Sequence, residues 1–250
     1  DFGYTGTGQI GDTLWWDIDG DGSQAADEPG LAVVDVSLTW AGLNGLFGDG
    51  DDAVFTTATD ADGGYLFDLL PPGEFVVAVD DTSLPVGLVQ TGDPDATLDG
   101  ESAVTLTTGE TNLDQDFGYR GEGSIGDFVW FDLNNDGVPD ADEPGVAGVT
   151  VTITFFGPDG LAGGGDDAVF VAATDADGLY TVPGMPPGSY EALVDISTIP
   201  SGLVITADLD GGDPLVTLHI DKTVPTEYLV RVAGIAAELN AKVSIATKPN

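Results

Sequence analysis

The 250-residue chain has no cysteine, one histidine, one methionine and only five basic residues, against 44 aspartates and glutamates. Each shortage removes something. Without cysteine there is no disulfide and no thiolate chemistry, so small domains must be held together by other means. With a formal charge of −39 the chain cannot neutralise phosphates, which argues against nucleic-acid partners and against docking on anionic membranes through a basic patch. No apolar run approaches the roughly 18 residues that span a bilayer, and no basic-then-apolar leader opens the chain. The only histidine, His219, sits in the apolar run Leu215–Ile220 and reads as a structural strand residue.

What is present is lopsided. Of the acids, 35 are Asp and 9 are Glu, beside 37 glycines, while apolar residues still make up 42%. That apolar share separates the chain from disordered acidic tails. Residues 222–250 hold Lys222, Arg231, Lys242 and Lys248 against Glu227 and Glu238, whereas residues 1–221 hold 42 acids and Arg120 as their one base.

The sequence repeats itself at an offset of 115. Asp1-Phe2-Gly3-Tyr4 returns as Asp116-Phe117-Gly118-Tyr119, Ile10-Gly11-Asp12 as Ile125-Gly126-Asp127, and Asp27-Glu28-Pro29-Gly30 as Asp142-Glu143-Pro144-Gly145. Thr59-Asp60-Ala61-Asp62-Gly63 and Pro71-Pro72-Gly73 likewise recur at Thr174–Gly178 and Pro186–Gly188. Short stretches rich in Val, Thr, Phe and Tyr alternate with Gly, Asp and Pro clusters, the pattern of an all-β sandwich. Strands are expected at Gln9–Trp16, Ala32–Trp40, Ala53–Thr59, Tyr65–Leu69, Phe75–Val79, Val86–Gln90, Ala103–Thr107 and Asn112–Tyr119. The expected division is 1–8 as a closing strand or linker, repeats over 9–119 and 120–232, and a tail over 233–250.

Asp17 to Glu28 fits the twelve-residue calcium-loop pattern. Asp17, Asp19 and Asp21 stand at positions 1, 3 and 5, Gly22 at 6, Ser23 at 7 and Glu28 at 12. A hard cation takes 6 to 8 oxygens at about 2.3–2.6 Å, and alternate short acids around a turning glycine supply them. The second repeat offers Asp132, Asn134, Asp136, Val138 and Glu143 at the same places, and adds Asp140 at position 9, where the first has Ala25. Pro29-Gly30 and Pro144-Gly145 follow at once, so no EF-hand helix continues.

Further acids gather in hairpin loops: Asn44, Asp49, Asp51, Asp52, Asp60 and Asp62, then Asp159, Asp166, Asp167, Asp175 and Asp177. They read either as a second calcium site per repeat or as turn chemistry. Asp51/Asp52 could share an ion with Asp60/Asp62 only if a bulge folds back the strand between them. A third group, Asp93, Asp95 and Asp99 with Asp208, Asp210 and Asp213, has the same two readings.

The ordered motifs Gly-Asp-x-x-Trp-x-Asp, Asp-Glu-Pro-Gly, Thr-Asp-Ala-Asp-Gly-x-Tyr, Pro-Pro-Gly and Asp-Phe-Gly-Tyr resemble the SdrD B-like domain of serine-aspartate repeat surface proteins. That domain is similar to collagen-adhesin B-type domains. The resemblance implies calcium-binding Ig-like or prealbumin-like sandwiches used in tandem as a stiff extracellular spacer at the cell surface. It carries the calcium ligands onto Asp17, Asp19, Asp21 and Glu28, and onto Asp132, Asn134, Asp136, Asp140 and Glu143. A Lys–Asn isopeptide cross-link, frequent in the related domains, is impossible inside the first repeat, which has no lysine. Catalysis finds little support, because the paired carboxylates explain themselves as ligands or turns. The expected partners are neighbouring repeats or subunits, head-to-tail through strand addition by the ends. A protein or glycan ligand of an adhesin module is the alternative.

Overall fold

The computed structural model describes residues 1–95, 97–203, 206 and 219–220. The chain divides into two compact units, the first comprising Asp1–Arg120 and Gly163–Ala168 and the second beginning at Gly121. Strands and turns build both, with no helix among the described residues.

In the first unit β1 spans Gly8–Trp16, β2 Asp35–Trp40, β3 Ala53–Ala58, β4 Gly64–Leu70, β5 Gly73–Val79, β6 Val89–Gly92, β7 Glu101–Leu106, β8 Thr111–Asn112 and β9 Phe117–Arg120. One sheet has the order β4-β1-β9-β6 with β8 also on β1, and the other has the order β3-β2-β5-β7. Period-two alternation explains the sandwich. Val36 and Leu38 of β2 and Phe75 and Val77 of β5 turn inward and are at most 1% exposed, against Ile10, Leu14 and Phe117 of the facing sheet at 0%. β9 runs parallel to β1, with Trp16 opposite Tyr119.

In the second unit β10 spans Gly123–Phe128, β11 Thr150–Phe155, β12 Ala168–Ala173, β13 Leu179–Met185, β14 Tyr190–Val194 and β15 His219–Ile220. The orders are β13-β10-β15 and β12-β11-β14. His219 lies in the strand expected of it, opposite Gly126.

Three strands start late or break where the sequence predicts continuous pairing. Ala32–Val34 do not join β2: Val33 takes a φ of 59°, and the N–H of Val34 donates to the Thr59 hydroxyl at 2.9 Å instead of to a ladder. Val86–Leu88 form a turn after Pro85, with Gly87 at a φ of 86°. The strand expected over Asn112–Tyr119 breaks at 113–116, where Asn112 Oδ1 accepts the N–H of Asp114 and Asp116 Oδ1 that of Thr13. Residues Asp1–Thr7 form no strand; Gly6 donates to the Leu69 carbonyl at 3.2 Å. The tail 233–250 lies outside the described residues, as do Asp208, Asp210 and Asp213.

Candidate metal centre

Asp17 follows β1 directly and its side chain is fully buried. Its Oδ1 accepts the N–H groups of Gly20 (2.6 Å) and Asp21 (3.1 Å), and its Oδ2 that of Gly22 (2.9 Å). Burial pushes the Asp17 carboxyl up, but the neighbouring Thr91 side chain and these three amides outweigh it and hold the group below its ordinary range. Asp19 Oδ1 accepts the N–H of Asp21 at 3.0 Å, and Asp21 Oδ1 that of Ser23 at 2.8 Å. Each short acid thus shapes the backbone two residues on.

Glu28 braces the loop backbone from the far end. Its Oε1 accepts the N–H of Ile18 at 2.6 Å and its Oε2 that of Ala25 at 2.8 Å. The residue is 7% exposed, because the N–H of Trp16 donates to the Pro29 carbonyl at 2.9 Å and draws the two ends of the loop together. Gly22 is required twice over: its φ is 78°, and a Cβ there would stand 3.0 Å from the Thr91 carbonyl oxygen.

Oxygens of Asp17, Asp19 and Asp21 lie within 4.8 Å of one another. Two oxygens bound to one calcium from opposite sides stand at most about 5 Å apart. The cluster therefore has calcium's dimensions, and its donors are all hard carboxylate oxygens. The second repeat folds alike: Asp132 accepts the N–H groups of Asp136 (3.2 Å) and Gly137 (3.0 Å), and Glu143 those of Leu133 (2.7 Å) and Asp140 (3.1 Å). Asp136 Oδ1 accepts the N–H of Val138 at 2.8 Å. The Asn134 amide donates to Asp136 and Asp140 at 3.0 and 3.1 Å, so the position-9 acid joins the group. Asp132 and Glu143 are more open than Asp17 and Glu28.

The hairpin acids divide. Asn44 Nδ2 donates to Asp49 (2.7 Å) and Asp51 (2.9 Å), and Asp52 accepts the N–H of Gly48 at 2.7 Å. The neighbouring Asp49 and Asp51 carboxyls act on one another, which holds the first below its ordinary range and pushes the second above it. Asp60 and Asp62 are elsewhere. The β2–β3 register runs from Asp35↔Ala58 to Trp40↔Ala53 without a shift, so no bulge folds β3 back. Asp51/Asp52 and Asp60/Asp62 lie at its opposite ends, about 20 Å apart, and they form no joint site.

Asp60 instead shapes the β3–β4 turn, its Oδ1 accepting the N–H groups of Asp62 and Gly64, both at 2.9 Å. Asp175 does the same for Asp177 and Leu179. In the other loop of the second repeat, Asp159 accepts from Leu161 and Asp167 from Gly163, each at 2.7 Å, and Asp166 precedes Asp167. One oxygen of Asp52 and one of Asp167 are buried without a hydrogen-bond partner, which leaves an acceptor in the same place in each repeat for a cation to satisfy. Asp93 and Asp95 accept the N–H groups of Asp95 and Thr97, at 3.1 and 2.9 Å, as in ordinary turns.

Asp116 and Arg120 escape a reading of the sequence as loops. Asp116 Oδ1 accepts the N–H of Thr13 at 3.1 Å, and burial, with Asp12 close by, pushes its carboxyl up to about 6. Arg120 packs against the backbone at Gly20. The recurrence of Asp-Phe-Gly-Tyr marks the segment in the sequence, but not what it touches.

The model of the SdrD B-like domain matches residues 8–119 and again 123–241. This chain belongs to the SdrD B-like domain family. It is 32% identical over 235 residues to serine-aspartate repeat-containing protein E of Staphylococcus aureus strain MSSA476, covering 88% of this chain and 19% of that protein. Its identity to the bone sialoprotein-binding protein of Staphylococcus aureus is also 32%, over 88% of this chain and 18% of that one. The chain thus spans less than a fifth of the curated relatives it matches. Among solved structures it is similar to the shaft pilin SpaA of Lactobacillus rhamnosus GG (12% identity, 88% of this chain and 94% of that one, TM-score 0.34). GBS52, the minor pilin of Streptococcus agalactiae, is another (16% identity, 87% and 92%, TM-score 0.30). The SdrD B-like domain is a module of cell-surface proteins, and that is the setting of this chain.

Proposed function

We propose that the chain is a calcium-stiffened spacer of a larger surface protein, each repeat taking one calcium ion in its first acidic loop. The observation that carries this reading is the ring in which Asp17, Asp19 and Asp21 bring oxygens within 4.8 Å of one another; Glu28 braces the same loop, and in the second repeat Asp132 and Glu143 repeat the backbone hydrogen bonds, though not the close cluster of acids. The loop backbone already bonds to the ring's acids, so an ion arrives at a nearly formed site. In calcium-free protein the ring's carboxylates, about 5 Å apart, repel one another by on the order of 3 kcal/mol per pair at an effective dielectric of 20. With no cysteine in the chain, calcium is the staple that holds Asp17 to Glu28 at the end of β1.

A second ion in each repeat, at Asn44, Asp49, Asp51 and Asp52 and at Asp159, Asp166 and Asp167, would satisfy the partnerless oxygens of Asp52 and Asp167.

Titration calorimetry and thermal melting after chelation test the reading. The expected result is heat of binding and a rise in melting temperature with calcium, worth about 2.7 kcal/mol per occupied site at a hundredfold excess over its dissociation constant. Two ions per chain would assign the ring sites alone, and four would add the hairpin loops. No heat and no shift would overturn the proposal.

An adhesive role is the second reading, favoured by the relative whose name is bone sialoprotein-binding protein. A pull-down with extracellular matrix proteins, against a glycan array, separates it from a spacer. Head-to-tail growth through the chain ends belongs to the spacer reading, and ultracentrifugation in calcium tests it.

A further inference from the structure

The loop from Asp17 to Glu28 contains acids and no base, yet one cation reaches it from the other end of the unit. Arg120 is the only basic residue among residues 1–221. It is the last residue of β9, opposite Val89 of β6, and the residue before it accepts the N–H of Asp17 at 2.9 Å. The strand that closes the sandwich therefore delivers its terminal side chain to Gly20, between Asp19 and Asp21 of the loop. There the guanidinium lies so close to Gly20 that a Cβ at Gly20 would meet Arg120 Nη1. Gly20 has a φ of 79°, a conformation that calls for glycine.

We propose that Arg120 is the built-in counter-cation of the first ring and sets its affinity for calcium. The inference rests on the calcium reading above. Without the ion, the guanidinium offsets part of the repulsion among Asp17, Asp19, Asp21, Asp27 and Glu28. When a divalent cation enters, the same charge opposes it. Arginine suits the place because it stays charged at every pH the protein meets and is weakly hydrated for a cation, so it can pack on backbone. In the sequence of the second repeat Arg231 follows Glu227-Tyr228-Leu229-Val230 as Arg120 follows Asp116-Phe117-Gly118-Tyr119; Arg231 lies outside the described residues.

The test is calcium titration calorimetry on the whole chain, in a background where Asp132→Ala silences the second ring, comparing R120, R120Q and R120K. Calcium-free melting temperatures supply the second readout. R120Q is expected to bind calcium roughly threefold to tenfold more tightly at low ionic strength, with the gap closing in about 0.5 M KCl. Its calcium-free melting temperature is expected to fall, while R120K stays close to R120 in both readouts. If R120Q binds calcium equally or more weakly, Arg120 is only a packing residue and the inference fails. If R120 itself binds no calcium, the calcium reading fails first. The counter-cation role then stands on the calcium-free melts, and is lost if R120Q and R120K melt alike. Should R120Q not fold, R120H replaces it: its affinity relative to R120 should rise between about pH 5.5 and 8 as the imidazole loses its charge, and a constant ratio overturns the inference.

Discussion

The backbone N–H of Asp17 donates to the carbonyl of Tyr119 at 2.9 Å, tying the first residue of the acidic ring to the strand that ends the unit. The ring is thus part of the sandwich and not an appendage to it. Disturbing it should be felt in global unfolding, with or without calcium.

Asp17→Ala removes the acceptor for three loop amides and leaves them partly buried. A loss of about 2–4 kcal/mol of stability is expected from urea unfolding in excess chelator. Asp17→Asn, which keeps one carbonyl oxygen, should lose less. A mutant as stable as the parent in chelator would mean that the ring is not coupled to the fold.

Acid affects Asp17 and Asp116 in opposite directions. Asp17 is held below its ordinary value of 3.8. Its contribution is therefore present above that value and lost as pH falls through the still lower folded value. Asp116 is pushed up to about 6 from 3.8, so the folded state holds its proton longer than the unfolded chain does. Its contribution is favourable below pH 3.8 and declines as pH rises toward 6. Asp116→Asn should accordingly stabilise the protein at pH 7.5 by roughly 1 kcal/mol, a figure discounted for a group that is only partly buried. Denaturant midpoints at about pH 4.5 and 7.5 check this; a mutant less stable than the parent at pH 7.5 would refute it.

Thr59 and Thr174 make the same buried bridge in the two repeats. Thr59 Oγ1 accepts the N–H of Val34 and donates to the Leu31 carbonyl at 2.9 and 2.7 Å. Thr174 repeats this with Val149 and Val146 at the same distances. Valine at either position leaves a buried N–H and C=O unsatisfied, at an expected cost of about 2 kcal/mol to that unit. Calorimetric melts of the single and double mutants should show effects that add.

Gly22→Ala should cost about 1–2 kcal/mol, since it places a Cβ at positive φ and against the Thr91 carbonyl. The loss should persist in chelator, because the strain lies in the backbone and not in an ion. Full recovery of stability on chelation would contradict it.

The repeat, the sandwich class and the composition of each acidic loop are legible in the residues alone. Those features are local: alternation along β2 and β5 follows from a two-residue period, and the Asp17–Glu28 spacing from the chemistry of oxygen ligands. The ends of strands were less legible, because Val34, Leu88 and Asp116 take partners or turns that strand propensity does not register. Which acids meet depends on how the strands pair. Pairing parted Asp51 and Asp52 from Asp60 and Asp62, because an unbulged six-residue β3 is a rigid spacer. It also brought Tyr119 and Arg120 to Asp17 and Gly20, because β9 pairs in parallel with β1. Parallel pairing joins residues far apart in the chain, and no local pattern records it.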